Sequence, residues 1–349
     1  MKKSNLSWIR LIATLMIVSC HILQGLDLEA AFWINVGVQV FFVLSGYLYS
    51  TKKLSNTFEF YKKQYKKIII PYWIVFIIII LLVGISKINV RFNIFSIIGM
   101  IIGLQYWTGT INILSHTWFI SYILICYLIT PILKKIKIFN DIKTNQTFLT
   151  FIILTVLLQL FNSYRIININ VSYTMLYIFG YIIGHIEERR INKRIFVVVI
   201  ILTVLLLPLR LSVQYFNNYN FIKWLNYFNV GKDNFISYHH ALIGMSLFMI
   251  FMILFKKTKY NKILYYSDML SYYVYLVHQI FILFDFSLLS ITNNILINIV
   301  MIIIITIVSA SILYILTKLI NKFMHYSINY IKKLFKCISK KTIKSSKEK

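Results

Sequence analysis

Charged residues are scarce in this 349-residue chain: they make up 13% of it, and only 10 residues are acidic. A soluble domain carries about 25% charged residues, so this composition excludes an ordinary soluble protein. Hydrophobic residues make up 59% of the chain, and its mean hydropathy is +0.75. Many apolar runs approach the 20 or so residues that a helix needs to cross a bilayer. The composition therefore predicts an all-α polytopic membrane protein.

Cysteine is also scarce, with three residues at Cys20, Cys126 and Cys337. These cysteines are scattered and show no spacing typical of a metal site or a disulfide framework. We therefore expect neither a disulfide nor a bound metal. No small-residue cleavage site follows the first apolar run, which favours a retained first span over a signal peptide.

The formal charge of +27 does not indicate a nucleic-acid partner. The lysines cluster between apolar runs and near the C-terminus, which is the pattern of cytoplasmic loops in a membrane protein. We therefore predict no contact with nucleic acid. The basic segment 318–349 is expected to form a cytoplasmic tail that lies on the anionic lipids of the inner leaflet, after a membrane domain over residues 1–317.

Eleven apolar segments follow one another along the chain. They lie at about 8–25, 32–50, 68–86, 94–106, 115–133, 147–161, 171–186, 195–209, 236–255, 263–285 and 295–317. If all of them crossed, the lysines after residue 133 would lie outside, against the positive-inside rule. Segment 94–106 is short and contains Gly99 and Gly103, so we expect it to be re-entrant or interfacial. About ten transmembrane helices then remain, with both termini in the cytoplasm.

Arg10 and His21 both lie inside the first apolar segment, where ionisable side chains are costly and often functional. They are 11 residues apart, about three helical turns, so they share nearly one face at a separation of about 16 Å. On the predicted topology, Arg10 lies near the cytoplasmic end and His21 in the outer half. Arginine binds phosphates bidentately, and histidine acts as a base near neutral pH. The alternatives are snorkelling of Arg10 to the interface and an interhelical hydrogen bond from His21.

Four ordered motifs, spread over most of the chain, carry a family resemblance. They are Arg10 with His21, then Gly37-Val-Gln-Val-Phe-Phe-Val-Leu-Ser-Gly-Tyr-Leu48, then Trp118-Phe-Ile with Tyr127 and Pro131, and finally Ser271-Tyr-Tyr-Val-Tyr-Leu-Val-His278. Together they resemble the acyltransferase-3 family of integral-membrane acyltransferases. The chain departs from the family pattern at Gln39, where many relatives have Asp. It also has no carboxylate in 121–126, where the branch that modifies O-antigen has Glu.

The resemblance implies transfer of an acyl group, most often acetyl, from cytoplasmic acyl-CoA to a hydroxyl of a surface polysaccharide or lipid-linked glycan. It places the enzyme in the bacterial plasma membrane and requires no permanently bound cofactor. It implies that His21 deprotonates the acceptor hydroxyl or briefly carries the acyl group. Arg10 and the lysines that replace the family's arginines would hold the CoA phosphates; these are Lys62, Lys63, Lys66 and Lys67.

Four further histidines fall in or near the outer half of the predicted spans. Of these, His278 and His116 are the stronger catalytic candidates, and His239 and His240 are weaker ones. Each also has an ordinary interpretation as a hydrogen-bonded or interfacial residue. The longest outer loop, 210–235, is rich in tyrosine and tryptophan, which either stack on sugar rings or form an interfacial aromatic belt.

Two other classes of function stay open at this point. One is a transporter or flippase of a lipid-linked sugar, and the other is a non-catalytic subunit of a polysaccharide assembly machine. Transporters often consist of duplicated halves, and no internal repeat is visible in this chain.

Overall fold

The computed structural model describes residues 4–54, 56–86, 93–136, 144–164, 169–185, 193–216, 218–227 and 230–345. All regular structure in these ranges is helical. Ten longer helices build the bundle: α1 (Ser4–Gly25), α3 (Gly37–Ser50), α4 (Thr57–Ser86), α7 (Trp118–Lys135), α8 (Thr144–Ser163), α9 (Val171–His185), α10 (Lys193–Tyr215), α12 (Lys232–Leu254), α13 (Lys262–Val277) and α14 (Ile295–Ser345). The shorter helices are α2 (Ala30–Ile34), α5 (Ile94–Ile102), α6 (Gln105–Thr108) and α11 (Tyr219–Tyr227).

Seven helical segments of the described chain are long and apolar enough to cross a membrane. They are Ser4–Gly25, Ala30–Ser50, Thr57–Ser86, Asn112–Lys135, Ile195–Tyr215, Lys232–Leu254 and Ile295–Ser327. The prediction of an all-α polytopic membrane protein is confirmed. The figure of ten crossings and the cytoplasmic position of the termini stay predictions.

The predicted re-entrant segment 94–106 contains two short helices, α5 and α6. The Asn93 side chain accepts a hydrogen bond from the Phe95 amide and so caps the start of α5. Gly103 ends α5 in the left-handed conformation, with φ 85°. Nine helical residues extend about 14 Å, less than half of a hydrocarbon core of about 30 Å. As a helix, α5 is too short to cross.

Helices α3 and α9 pack closely along the centre of the bundle because glycines remove the side chains between them. A Cβ on Gly46 would lie 1.9 Å from the backbone oxygen of Tyr177, and one on Gly180 would lie 2.0 Å from that of Val43. Gly37 similarly lets α3 approach Ala13 of α1. The close contact with α9 fixes the position of α3. The face of α3 that points away from α9 lines the candidate site.

The structure corrects two of the predicted boundaries. The span predicted at 263–285 ends as an α-helix at Val277, and a 3₁₀ turn follows over His278–Phe281. Gln279 of this turn accepts a hydrogen bond from the His116 amide and donates to Ser115, at 3.1 Å each, so contacts from another segment hold the break. The loop predicted at 210–235 is largely helical, because α10 continues to Tyr215 and α11 follows.

Candidate functional site

One face of α1 carries both residues that the sequence singled out. Arg10, Ile17 and His21 are spaced by seven and four residues, which places them along one helical face. Arg10 and Ile17 line a cavity of about 440 Å³, and His21 lies one turn beyond Ile17. We call this space the α1 cavity. It is lined by residues of α1, α3, α4, α7, α13 and α14.

Arg10 forms an ion pair with Asp268 of α13 at one end of the α1 cavity. The Asp268 carboxylate also accepts hydrogen bonds from Ser7 Oγ at 2.8 Å and Tyr260 Oη at 3.1 Å. The Arg10 side chain is 22% exposed and that of Asp268 is 8% exposed. These contacts hold the guanidinium at the cavity wall.

Two lysines add positive charge to the same wall. Lys67, one of the four predicted donor-binding lysines, lines the α1 cavity together with Lys52, which the sequence did not single out. Lys62, Lys63 and Lys66 are not among the described lining residues. The Lys52 ammonium lies 4.5 Å from the centre of the Tyr49 ring.

Lys52 lies between α3 and α4, outside the candidate spans. Its partial burial lowers the pKa of its ammonium, and the nearby charges of Lys63 and then Arg10 lower it further. Three cations, Arg10, Lys52 and Lys67, therefore share this wall with one carboxylate, Asp268. Such a surface attracts an anion.

Three histidines that are distant in the sequence meet beyond the other end of the α1 cavity. The ring centres of His21 and His278 are 5.1 Å apart, and those of His116 and His278 are 5.3 Å apart. We call these three residues the histidine cluster. His116 and His278 are buried, whereas His21 is partly exposed. The structure therefore brings together the three histidines that the sequence ranked as catalytic candidates.

Hydrogen bonds indicate the tautomer of each ring in the histidine cluster. His278 Nδ1 lies 2.8 Å from the Tyr275 carbonyl, and His116 Nε2 lies 3.2 Å from the Leu276 carbonyl. Carbonyls only accept, so these nitrogens carry the protons. His278 Nε2 and His116 Nδ1 are then buried lone pairs without a hydrogen-bond partner among the described residues.

The His21 ring is oriented by an amide. Its Nδ1 lies 3.0 Å from Gln24 Oε1, one turn later in α1. Donation to this oxygen leaves Nε2 of His21 as the free base. In the described part of the chain, no carboxylate forms a hydrogen bond or ion pair with the cluster, so Gln24 occupies the orienting position that a carboxylate often fills.

Tyr275 connects the α1 cavity to the histidine cluster. Its ring lines the cavity, and its ring centre lies 5.4 Å from that of His116 and 6.1 Å from that of His278. Its hydroxyl donates to the His116 carbonyl at 2.6 Å. A molecule that fills the cavity from Arg10 to Ile17 therefore ends next to the cluster.

The two weaker histidine candidates lie elsewhere. His239 and His240 of α12 contact Arg210 of α10 and do not join the histidine cluster. The described residues contain no group of three or more His, Cys, Asp or Glu side chains arranged to hold a metal ion.

Comparison with protein families decides the class of the chain. Residues 3–317 match the acyltransferase domain of the acyltransferase-3 family. The chain belongs to this family. It is a membrane acyltransferase, and the α1 cavity and the histidine cluster both lie within the matched region. No curated protein and no solved structure matches the chain.

Several residues of this candidate site were missed from the sequence. Asp268 is a carboxylate within the mostly apolar and aromatic segment 263–285, so the signal that singled out Arg10 was also present there. Lys52 is the first lysine of the basic run 52–67, and such a run between two apolar segments predicts a cytoplasmic loop. Gln39, which replaces the Asp of many relatives, is buried but does not belong to the described lining of the α1 cavity.

Proposed function

We propose that this acyltransferase moves an acyl group, most often acetyl, from cytoplasmic acyl-CoA to a hydroxyl of an extracytoplasmic or lipid-linked surface glycan. One observation carries the proposal: a single cavity has cations at one end and the histidine cluster beyond the other. Acyl-CoA is an elongated molecule with phosphates at one end and a thioester at the other. Its two ends match the two ends of the α1 cavity.

The cationic wall suits the phosphates of the donor. Lys52 and Lys67 carry charges that no described carboxylate pairs with, and both line the cavity. Arg10 adds a planar set of donors that fits phosphate bidentately. The ion pair with Asp268 fixes the orientation of the Arg10 guanidinium. Lysines act as point charges, so we assign orientation of the donor to Arg10 and attraction to the lysines.

The histidine cluster suits the acyl transfer itself. His21 Nε2 takes the proton of the acceptor hydroxyl as its oxygen attacks the thioester carbonyl. The new C–O bond forms, the C–S bond breaks, and the proton passes from His21 to the leaving thiolate. Donation from Nδ1 to Gln24 Oε1 keeps Nε2 free for this role. His116 and His278 are further candidates for contact with the reacting atoms, because each has a buried nitrogen without a partner.

Acyl transfer is tested with purified full-length protein, radiolabelled acetyl-CoA and candidate glycans. We expect glycan-dependent release of CoA and labelled glycan. His21→Ala should lower kcat by about 10²- to 10⁴-fold, which is the usual contribution of a general base. His325→Ala, which changes an exposed histidine of α14, is the matched control and should leave turnover unchanged.

The outcomes separate the three classes of function. Full activity of His21→Ala would show that the catalytic assignment is wrong. Binding or movement of a lipid-linked sugar without consumption of acetyl-CoA would instead indicate a transporter. Turnover that requires a second protein would indicate a subunit of an assembly machine.

A further inference from the structure

A second arginine, Arg210, is buried in the helix bundle. It lies on α10, in the part of the chain that the sequence predicted as a loop, and its relative exposure is 0%. Its guanidinium Nη1 lies 3.0 Å from His239 Nδ1, and its Nη2 lies 2.6 Å from His240 Nε2. Both histidines belong to α12, so Arg210 joins two helices through their side chains.

The two histidines solvate the Arg210 charge without neutralising it. A guanidinium can only donate, so His239 Nδ1 and His240 Nε2 must each present a lone pair. The other nitrogen of His239 lies 2.9 Å from the Thr203 carbonyl, which only accepts. Each ring thus carries one proton and no charge, and the cluster keeps a net charge of +1.

Arg10 and Arg210 differ in how their charges are compensated. Arg10 is paired with Asp268, whereas Arg210 forms no ion pair within the described ranges of the chain. The Nε of Arg210 is also buried and has no hydrogen-bond partner there. A buried charge that has no counterion is unfavourable even when hydrogen bonds solvate it. Arg210 is therefore a cation that an anion would stabilise.

Two aromatic rings of α2 cover Arg210. The guanidinium carbon lies 4.1 Å from the centre of the Trp33 ring and 4.9 Å from that of Phe32. Trp33 Nε1 donates to the hydroxyl of Tyr215 at 3.3 Å, and Tyr215 is 44% exposed. On that side the cation is covered by this short helix, whose two rings are themselves partly exposed.

Helix α2 also lies beside the His21 end of α1. Cys20, the residue before His21, donates from its thiol to the Ala31 carbonyl at 3.3 Å. Ala31 directly precedes Phe32, which lies over Arg210. Arg210 and His21 are therefore on the same end of the bundle, with α2 between them.

We propose that Arg210 binds an acidic group of the acceptor glycan, either a carboxylate or a phosphate, and so holds the acceptor near His21. Trp33 and Tyr215 provide aromatic faces on which the neighbouring sugar rings stack. The choice of a glycan as the ligand rests on the proposed function. Arg210 would then determine specificity for acidic acceptors, while Arg10 serves the donor.

Anion binding is measured first, without turnover. The purified full-length protein is titrated with sodium phosphate and with sodium glucuronate, and sodium chloride keeps the ionic strength constant. The signal is the difference between the tryptophan fluorescence of the wild type and that of Trp33→Phe, which isolates the emission of Trp33. We expect a saturable change with at least one of the two anions, and the anion that saturates at the lower concentration identifies the acidic group.

Variants of Arg210 test the assignment. Arg210→Gln should abolish the saturable change, and Arg210→Lys, which keeps the charge but loses the two-pronged contact, should weaken it. The absence of a saturable change in the wild type, or an equal change in Arg210→Gln, would overturn the proposal. If Arg210→Gln is not monodisperse, the titration of Arg210→Lys tests the assignment instead. Anion affinity equal to that of the wild type in Arg210→Lys would also overturn the proposal.

Turnover with matched acceptors completes the test. Arg210→Gln should raise KM for an acidic glycan by about 10- to 100-fold, the range for loss of a charged hydrogen bond, and leave kcat and the KM of a neutral glycan unchanged. A purely structural Arg210 would instead lower activity equally on both acceptors. If the wild type modifies neither acceptor, the proposed function fails, but the fluorescence titration still reports on the anion site.

Discussion

Replacement of Gly180 by alanine tests whether helix packing or helix propensity determines the effect of an added methyl group on the stability of this protein. Gly180 lies on α9 against α3, and a Cβ there would stand 2.0, 2.7 and 2.9 Å from the backbone oxygen, carbonyl carbon and Cα of Val43. All three neighbours are backbone atoms, so no side-chain rotation relieves the clash. The two helices must move apart instead, and α3 then shifts the wall that Val38, Phe41 and Leu44 give to the α1 cavity.

The expected size of the effect follows from two opposing contributions. Overpacking of a tight contact costs about 1–3 kcal/mol, and alanine recovers up to about 1 kcal/mol of helix propensity over glycine. A Cβ 2.0 Å from a backbone oxygen is a severe clash, so we take the upper half of the overpacking cost, about 2–3 kcal/mol. Less about 1 kcal/mol of helix propensity, we expect Gly180→Ala to lower stability by about 1–2 kcal/mol. Gly84 of α4 is the matched control, because a Cβ there meets nothing within 4 Å. Gly84→Ala should be neutral or stabilising by up to about 1 kcal/mol.

The assay is the midpoint of thermal unfolding in detergent, followed by size-exclusion chromatography of the heated protein. The same substitution should shift the midpoint down at position 180 and leave it unchanged or raise it at position 84. A midpoint for Gly180→Ala at or above that of the wild type would refute the close α3–α9 contact. Equal losses at both positions would show that alanine itself, and not the helix contact, is responsible.

Three further predictions concern the two ends of the site. Asp268→Asn should raise KM for the acyl-CoA donor about 10-fold with little change in kcat, because Arg10 loses its anchor; steady-state kinetics measure both. The lowered pKa of Lys52 makes it lose its charge at lower pH than an ordinary lysine, so donor KM should rise with pH in the alkaline range, and less so in Lys52→Arg. Tyr275→Phe removes one hydrogen bond to the His116 carbonyl and should lower stability by about 0.5–1.5 kcal/mol, seen as a lower unfolding midpoint.

The common face of Arg10 and His21 could be predicted because helical geometry relates residues that are close in sequence. Both residues lie within α1, and Ile17 between them confirms that this face meets the α1 cavity. The meeting of His21, His116 and His278 depends on packing between segments far apart in the sequence: His116 and His278 are 162 residues apart, and His21 and His278 are 257 residues apart. Hydrophobic periodicity carries no information on contacts between distant segments. Each histidine could therefore be assessed from the sequence only by itself, and not as a member of a cluster.

The position of Arg210 was missed for a related reason. The apolar segment predicted at 195–209 ends just before Arg210, so residue 210 was predicted to begin a loop, but α10 continues to Tyr215. The continuation buries Arg210, whose hydrogen-bond partners His239 and His240 come 29 and 30 residues later. A helix can keep a charge in such a place only when tertiary contacts solvate it, and no local pattern reveals those contacts.

The site depends on two neighbouring helices that run in the same direction, α1 and α13. At one end, Arg10 pairs with Asp268, and at the other, the ring of His21 contacts that of His278. The spacing is 11 residues on α1 and 10 residues on the segment that follows Asp268, about 16 and 15 Å along the axes. The two contacts therefore fix the register of the helices. In the proposed mechanism, the ion pair that orients the donor at one end therefore also sets the distance from that donor to the histidine cluster. The separation of Arg10 and His21 belongs to the pair of helices and not to α1 alone.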